Sequence, residues 1–287
     1  MPTESPSAGP APRVLILLPA AGPVHGESEA VAAAVEQIAR QAGFEVTQAR
    51  ISESIDEARL AEFRALVFVH GAAAHASLAV RRELLRFVEA GGGAVFVHAP
   101  LPPGNDWGTA RRWLGLRRAE HGATRERRLV RVAAPGERES DLTIETGWHR
   151  FSDLFAGSEV VVRDAEDEPV AWRRRVGTGK IFASDLGHDV ASLASEFATG
   201  HFETGIRWAA EGAPLDYSHT SPRVGSFSKQ VLVTNVSEPI ALALFPDRSG
   251  RLLFTERRGS LKLYEPGSAE ARVVAELEVD AAGESGL

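Results

Sequence analysis

The chain has 287 residues, 44% hydrophobic and 25% charged, enough to bury a full core and to hold more than one domain. Its net charge of -7 gives a summed field that repels phosphate, so neither nucleic acid nor an anionic membrane is an expected partner. With no cysteine, disulfides, thiolate nucleophiles and cysteine-based metal sites are excluded together.

Residues 1–12, rich in Pro, Ser and Ala with an early acid, read as a flexible leader rather than an export signal. No apolar run approaches the roughly 20 residues of a membrane-spanning helix, so a cytoplasmic protein is expected. "VLILLP" from Val14 is a continuous apolar run, as in a parallel strand covered on both faces. Val31, Val35, Ile38 and Ala39 are spaced for one helical face, and Gly43 stops that helix. The alternation repeats: "EVTQARI" and "LAEFRALVFVH" supply two more strands, "LAVRRELLRFVEAGGG" a helix, and "AVFVHAP" a fourth strand. Such alternation predicts an α/β fold, an open and mostly parallel sheet with helices on both faces.

Between Arg111 and Arg131 the text is Arg-rich and reads as a solvated helix face, with an anionic ligand as the competing explanation. A turn over Ala133–Glu139 and a less regular region follow. Strands return with "EVVVRD" and "EPVAWRRRVGTGKIFASD", then helical text closes a first domain over residues 13–212. Residues 213–230 read as a linker by their Pro, Ser and Gly content. Over 231–287, short strands separated by Asp-Arg-Ser-Gly, Arg-Gly and Pro-Gly turns spell a β-meander, like one propeller blade and part of another. That is too little to close a ring of about four to eight blades. An isolated small sheet, a sheet packed on the first domain and a loosely ordered tail are the outcomes expected of it.

Ligands of open α/β sheets bind beyond the carboxyl ends of the strands. His25 follows the first strand, His70 ends the third, His98 ends the fourth, and His188 follows the strand Lys180–Ser184, so four histidines point at one rim. Imidazole there can transfer protons near neutral pH or ligate a metal; each histidine alone could equally bond a neighbouring carbonyl. His98 and His188 are the catalytic candidates. For a divalent ion, zinc first, the candidate ligands are His25, His98 and His188, although no cofactor is firmly expected. Asp106 and Trp107 pair an acid with an aromatic platform, the chemistry a sugar ring meets; the alternative is a turn with a core Trp. Trp172 lies within a strand, where packing competes with ligand contact. Asp189 beside His188 is placed to cap the next helix. "VHGES" lacks the Gly-x-Ser-x-Gly frame, which argues against a hydrolase triad through Ser28.

Taken together, "RVLILLPAAGPVHGES", "LVFVHG", "FVEAGGGAVFVHAP" with "NDW" behind it, "EPVAWRRRVGTGKIFASDLGHD" and "GIRWAAEG" resemble a trehalose-utilisation (ThuA-like) domain. The resemblance covers most of residues 13–212. It implies a flavodoxin-like sheet related to class I glutamine amidotransferases, without their cysteine nucleophile, and a role in carbohydrate or keto-sugar metabolism. His25, His98, Asp106, Trp107, Trp172 and His188 fall on the family's motif positions, which gives His25, Asp106, Trp107 and Trp172 substrate-binding roles. The acid that usually follows the "HA" motif is replaced around Leu101–Pro103, and the acidic block expected before "PVAW" reads as deleted. The tail similarly resembles the opening of a glucose/sorbosone dehydrogenase propeller but lacks its quinone-binding residues, so no quinone-dependent activity is expected. The expectation is an enzyme acting on a small-molecule carbohydrate, of hydrolase, lyase or isomerase type. Its alternative is a noncatalytic sugar-binding or accessory module left from a fusion with a quinoprotein dehydrogenase. The oligomeric state stays open between monomer and homo-oligomer.

Overall fold

In the computed structural model, residues 11–20, 27–52, 55–98, 112–132, 141–223 and 230–280 are described. They form two compact units that divide between Val224 and Gly225. In the first unit, β1 (Arg13–Leu18), β2 (Glu45–Arg50), β3 (Ala65–Val69) and β4 (Gly93–Val97) are parallel, as is β9 (Gly179–Ser184) against β4. Their order is β2-β1-β3-β4-β9, the flavodoxin-like doubly wound arrangement. The sheet continues antiparallel through β8 (Pro169–Val176), β7 (Glu159–Asp164), β5 (Leu116–Arg131) and β6 (Asp141–Leu154) to nine strands.

Period-two alternation sends β1 side chains to opposite faces. Val14 and Ile16 pack with Val31, Val35 and Ile38 of α1 (Ser28–Gln41) and with Phe202 and Ile206 of the final helix (Glu196–Ala210), labelled α4 below. Leu15 and Leu17 instead join Leu60 of α2 (Glu57–Leu60) and Val80, Leu84 and Phe87 of α3 (Leu78–Glu89). The helices start where hydroxyl or carboxylate caps allow: Ser77 Oγ accepts from Val80 N at 3.3 Å, Ser195 Oγ from Ala198 N at 3.1 Å. Helices therefore cover both faces, as the alternating sequence predicts.

The Arg-rich stretch differs from its expectation. From Leu116 on it is β5, paired with β6 along most of its length, and only Leu129–Arg131 pair with β7. Cross-strand pairing here outweighs any helical preference, and the charges are compatible because their residues alternate sides. Arg127 turns inward and is buried, with Nε donating to Asp164 Oδ2 at 2.8 Å, while Arg128 is exposed and bonds Asp141 at 2.9 and 2.6 Å. Since β5 pairs with β7 at one end only, the β5–β6 ribbon extends beyond the sheet, and His149 of β6 reaches Asp185 just past the end of β9. The turn expected over Ala133–Glu139 lies outside the described residues.

Residues 213–223 run along the first unit. Arg64 Nη2 donates to Ala213 O at 2.6 Å, Asp216 N to Ala90 O at 2.9 Å, and Ser221 N and Oγ to Glu89 at 2.7 and 2.8 Å. In the second unit, β10 (Pro239–Leu244), β11 (Leu252–Glu256), β12 (Ser260–Tyr264) and β13 (Arg272–Glu276) form an antiparallel meander in sequential order. Its core is small, built on Phe254, Tyr264 and Ala271.

The Arg127–Asp164 pair is buried on both sides, so removing one partner strands a charge, which costs about 3–5 kcal/mol. Asp164→Ala should lower stability by that order in denaturant melts, and Arg127→Met with Asp164→Leu should recover much of it. Burial alone would raise the Asp164 carboxyl's pKa; the Arg127 hydrogen bonds and the backbone N–H of Glu168 outweigh it and hold the value low. The pair's contribution is thus complete above the unfolded carboxyl's pKa of about 3.9 and is lost as pH falls through the lower folded value.

Candidate functional site

Three parallel strands deliver the site. His70 directly follows the end of β3 and His98 the end of β4, while β9 ends at Ser184 and is followed by Asp185, Leu186, Gly187 and His188. Both terminal histidines have left-handed backbones, His70 at φ 49° and His98 at φ 46°, a conformation most non-glycine residues avoid. Neighbouring strands hold them there: His70 N donates to Val97 O at 3.1 Å and His98 N to Leu186 O at 3.0 Å. Gly187, at φ 97°, makes the turn that sends His188 back over the rim.

The fourth contributor is the β5–β6 ribbon. His149 on β6 donates its backbone N–H to Asp185 Oδ2 at 2.8 Å and its Nδ1–H to Asp185 Oδ1 at 2.7 Å. His98 donates Nδ1–H to the Asp185 carbonyl at 3.0 Å, with the Asp185 carboxylate 3.5 Å away. His188 donates Nδ1–H to Asp189 Oδ2 at 3.2 Å; that oxygen also accepts from Thr146 Oγ1 at 2.5 Å, and Oδ1 accepts from Ser192 N at 2.8 Å. Asp189 is therefore both a cap for the following turn and the partner of His188. Four imidazoles cluster, with the His98 ring centroid 4.4 Å from His149, 4.8 Å from His188 and 5.8 Å from His70. Because an oxygen faces Nδ1 in His98, His149 and His188, the neutral ring carries its lone pair on Nε2, the nitrogen suited to taking a proton or binding a metal.

His188 packs against a glycine. A Cβ at Gly147 would lie 2.5 Å from His188 Cδ2 and 2.6 Å from Nε2. Two residues before His149, this glycine lets the ribbon close over the rim.

Burial dominates the electrostatics. It pushes the His98 pKa down to about 2, helped by the neighbouring His149, and lowers that of His70. Behind the rim, α4 buries His201 against Ser184 Oγ at 3.0 Å, and burial takes its pKa down to about 3. Burial would raise the Asp189 pKa, but bonds from Thr146, Ser192 N and His188 win and lower it. Ligand atoms of His98, His149 and Asp185, all buried, lie within 4.8 Å of one another, a two-imidazole, one-carboxylate set of zinc-binding type.

Of the residues singled out in the sequence, His98 and His188 are brought together and His70 stands beside them. Trp172 is buried on β8, donates Nε1–H to Leu114 O at 2.6 Å and packs edge-on against Phe151, itself beside His149. It forms the wall behind the site. His25, Asp106 and Trp107 lie outside the described residues. His149 and Asp185 are the residues sequence reasoning missed. Their signals were the alternation in "LTIETGWHRF", which spells a strand, and an acid directly at the end of β9.

Two consequences can be measured. Gly147→Ala should displace the His188 ring, seen as loss of its NMR contacts to His98 with the fold retained. Histidines kept neutral in the fold, such as His98 and His201, take up protons on unfolding. Their contribution is full above the unfolded pKa of about 6.5 and falls, by about 1.4 kcal/mol per pH unit for each, as pH drops toward the folded values. Urea melts from pH 7 to 5 should show that loss, and His201→Phe should reduce the slope by one proton.

The family model for ThuA, trehalose utilisation, matches residues 13–209, more than half of the chain. No curated protein matches it. Among solved structures, a ThuA-like protein from Parabacteroides merdae aligns at a TM-score of 0.56 and 16% identity, covering 74% of this chain and 94% of that one. A ThuA-like protein from Bacteroides uniformis aligns at 0.55 and 14% identity, covering 72% and 95%. A cytoplasmic protein from Salmonella typhimurium aligns at 0.50 and 12% identity, covering 69% and 99%. At these identities the likeness shows the fold, and no helix among the described residues is long and apolar enough to cross a membrane. By the extent and position of the family match, this chain belongs to the ThuA, trehalose utilisation, family.

Proposed function

We propose that this chain binds a sugar or keto-sugar at the carboxyl-end rim of its sheet and acts on it by histidine acid–base chemistry, in the cytoplasm. One observation carries the reading: Asp185 and Asp189 face the Nδ1 atoms of three clustered imidazoles, so that Nε2 of each is the proton-accepting position. His188, 29% exposed at its side chain and backed by Asp189, is the base that meets substrate. His98 and His149, more deeply set, flank it and help to orient the site. In a keto-sugar the proton next to the carbonyl is the acidic one, so a base here serves isomerisation or elimination, and a hydroxyl is the target in hydrolysis. The substrate-holding roles of His25, Asp106 and Trp107 rest on the sequence resemblance. So does the reading of residues 231–287 as the opening sheet of a sugar-dehydrogenase-type propeller, which the β10–β13 meander supports.

A second reading is favoured by the proximity of the His98, His149 and Asp185 ligand atoms. A divalent cation, zinc first, fits that donor set and would polarise a sugar carbonyl when bound. The 2.7 Å between His149 Nδ1 and Asp185 Oδ1 is a hydrogen bond. Two ligands of one tetrahedral zinc with bonds of about 2.0–2.1 Å sit about 3.4 Å apart, so binding requires this bond to open.

Calorimetry and NMR of keto-sugars and glycosides with the purified full chain test both. Turnover should occur and should fall by about 10²–10⁴-fold in His188→Ala. Binding with no chemical change in the sugar would select the accessory-module alternative, and no binding across the panel would overturn the assignment. Elemental analysis should find metal near one equivalent, lost in Asp185→Asn, if the second reading holds; metal-free protein with full turnover would reject it.

A further inference from the structure

Beside the acid–base cluster stands a pair it does not use. Ser28, the first residue of α1, lies 2.9 Å by its Oγ from His70 Nδ1, and His70 Nε2 lies 2.8 Å from the Gly187 carbonyl. A carbonyl oxygen only accepts, so Nε2 carries the ring proton and Nδ1 the lone pair. Ser28 Oγ–H must then be the donor to Nδ1. This polarity is that of a serine nucleophile facing its base, with the Gly187 carbonyl holding the tautomer as the third group does in a serine–histidine triad. The opposite tautomer, with imidazole donating to serine, would make the pair merely structural, and Gly187 O excludes it.

The frame is rigid. His70 is fixed by its left-handed backbone and by its N–H bond to Val97 O at 3.1 Å, and Gly187 by the turn that also sets His188. Burial lowers the His70 pKa, so the ring is neutral at neutral pH and its Nδ1 lone pair is unprotonated. The missing Gly-x-Ser-x-Gly frame excludes an elbow-type serine, a serine at a tight strand-to-helix turn, and Ser28 is a different arrangement: the first residue of α1, ten residues after β1 ends.

We propose that Ser28 and His70 form a nucleophile–base pair that hydrolyses carboxylic esters with a short acyl group. Ser28 Oγ bonds to the acyl carbon while its proton passes to His70 Nδ1, and the carbonyl π pair moves onto oxygen. When that pair returns, the C–O bond to the alcohol breaks, and the leaving oxygen takes the proton from His70. Water then repeats the sequence on the acyl-serine, releasing the carboxylic acid and restoring Ser28. That the alcohol portion is a sugar rests on the function proposed above; the ester chemistry does not.

The test uses the full chain, a fluorophosphonate probe and p-nitrophenyl acetate, with intact-mass and peptide mapping. One adduct on Ser28 is expected, together with ester turnover. Both should vanish in Ser28→Ala, and labelling should slow by about 100-fold or more in His70→Gln, the scale of a lost general base. No adduct on the wild-type chain, an adduct that persists in Ser28→Ala, or equal rates in His70→Gln would each overturn the proposal. Circular dichroism on both variants shows that they are folded, and the wild-type result decides even if one is not. Because the probe needs no sugar, a negative result leaves the His98–His188 reading standing, and failed sugar binding leaves the ester result standing.

Discussion

The site depends on one buried carboxylate. Asp185 is fully inaccessible to solvent, and a carboxylate in that position is tolerated only if its oxygens are hydrogen-bonded. Both Oδ atoms take their N–H groups from His149, one from the backbone and one from the ring. Its own carbonyl accepts from His98, and its own N–H donates to Val170 O at 2.9 Å on β8. One residue thereby fastens the end of β4, the edge of β8 and the far strand of the ribbon to the end of β9. Undocking the ribbon would leave this charge without its donors, so the ribbon, whose strand pairing with the rest of the sheet among the described residues is confined to Leu129–Arg131, is also held at the rim.

The parallel half was legible because its physics is local. Continuous apolar runs at Val14, Ala65 and Ala94, a helical face through Val31, Val35 and Ile38, and the glycines after Glu89 each point to one element, and the order of elements then follows from crossover rules. His98 and His188 were legible for the same reason: strand ends mark the ligand rim. His149 was not, because its place depends on a long-range pairing. Charged residues along 117–131 suit a solvated helix as well as a strand, and only the partner strand 141–154 decides between them. Asp185 was readable as an acid at a strand end, yet its role as an anchor required knowing what would come to meet it.

Several features of the rim work against stability. Left-handed histidines at 70 and 98, a fully buried carboxylate, imidazoles kept neutral by burial, and a glycine in the middle of β6 each cost free energy relative to alternatives the fold would accept. A leucine at 98 would bury as well without titrating, and asparagine at 70 would suit the backbone better. The opposite end of the parallel sheet, where Lys180 meets the Trp208 carbonyl at 2.9 Å and Thr178 Oγ1 meets that of Glu89 at 2.9 Å, has no such concentration of imidazoles among the described residues. Together the features of the rim fix how its imidazoles stand: the positive φ values set where the His70 and His98 rings stand, Asp185 and Asp189 face Nδ1 of their partner rings, and Gly147 makes room for the His188 ring.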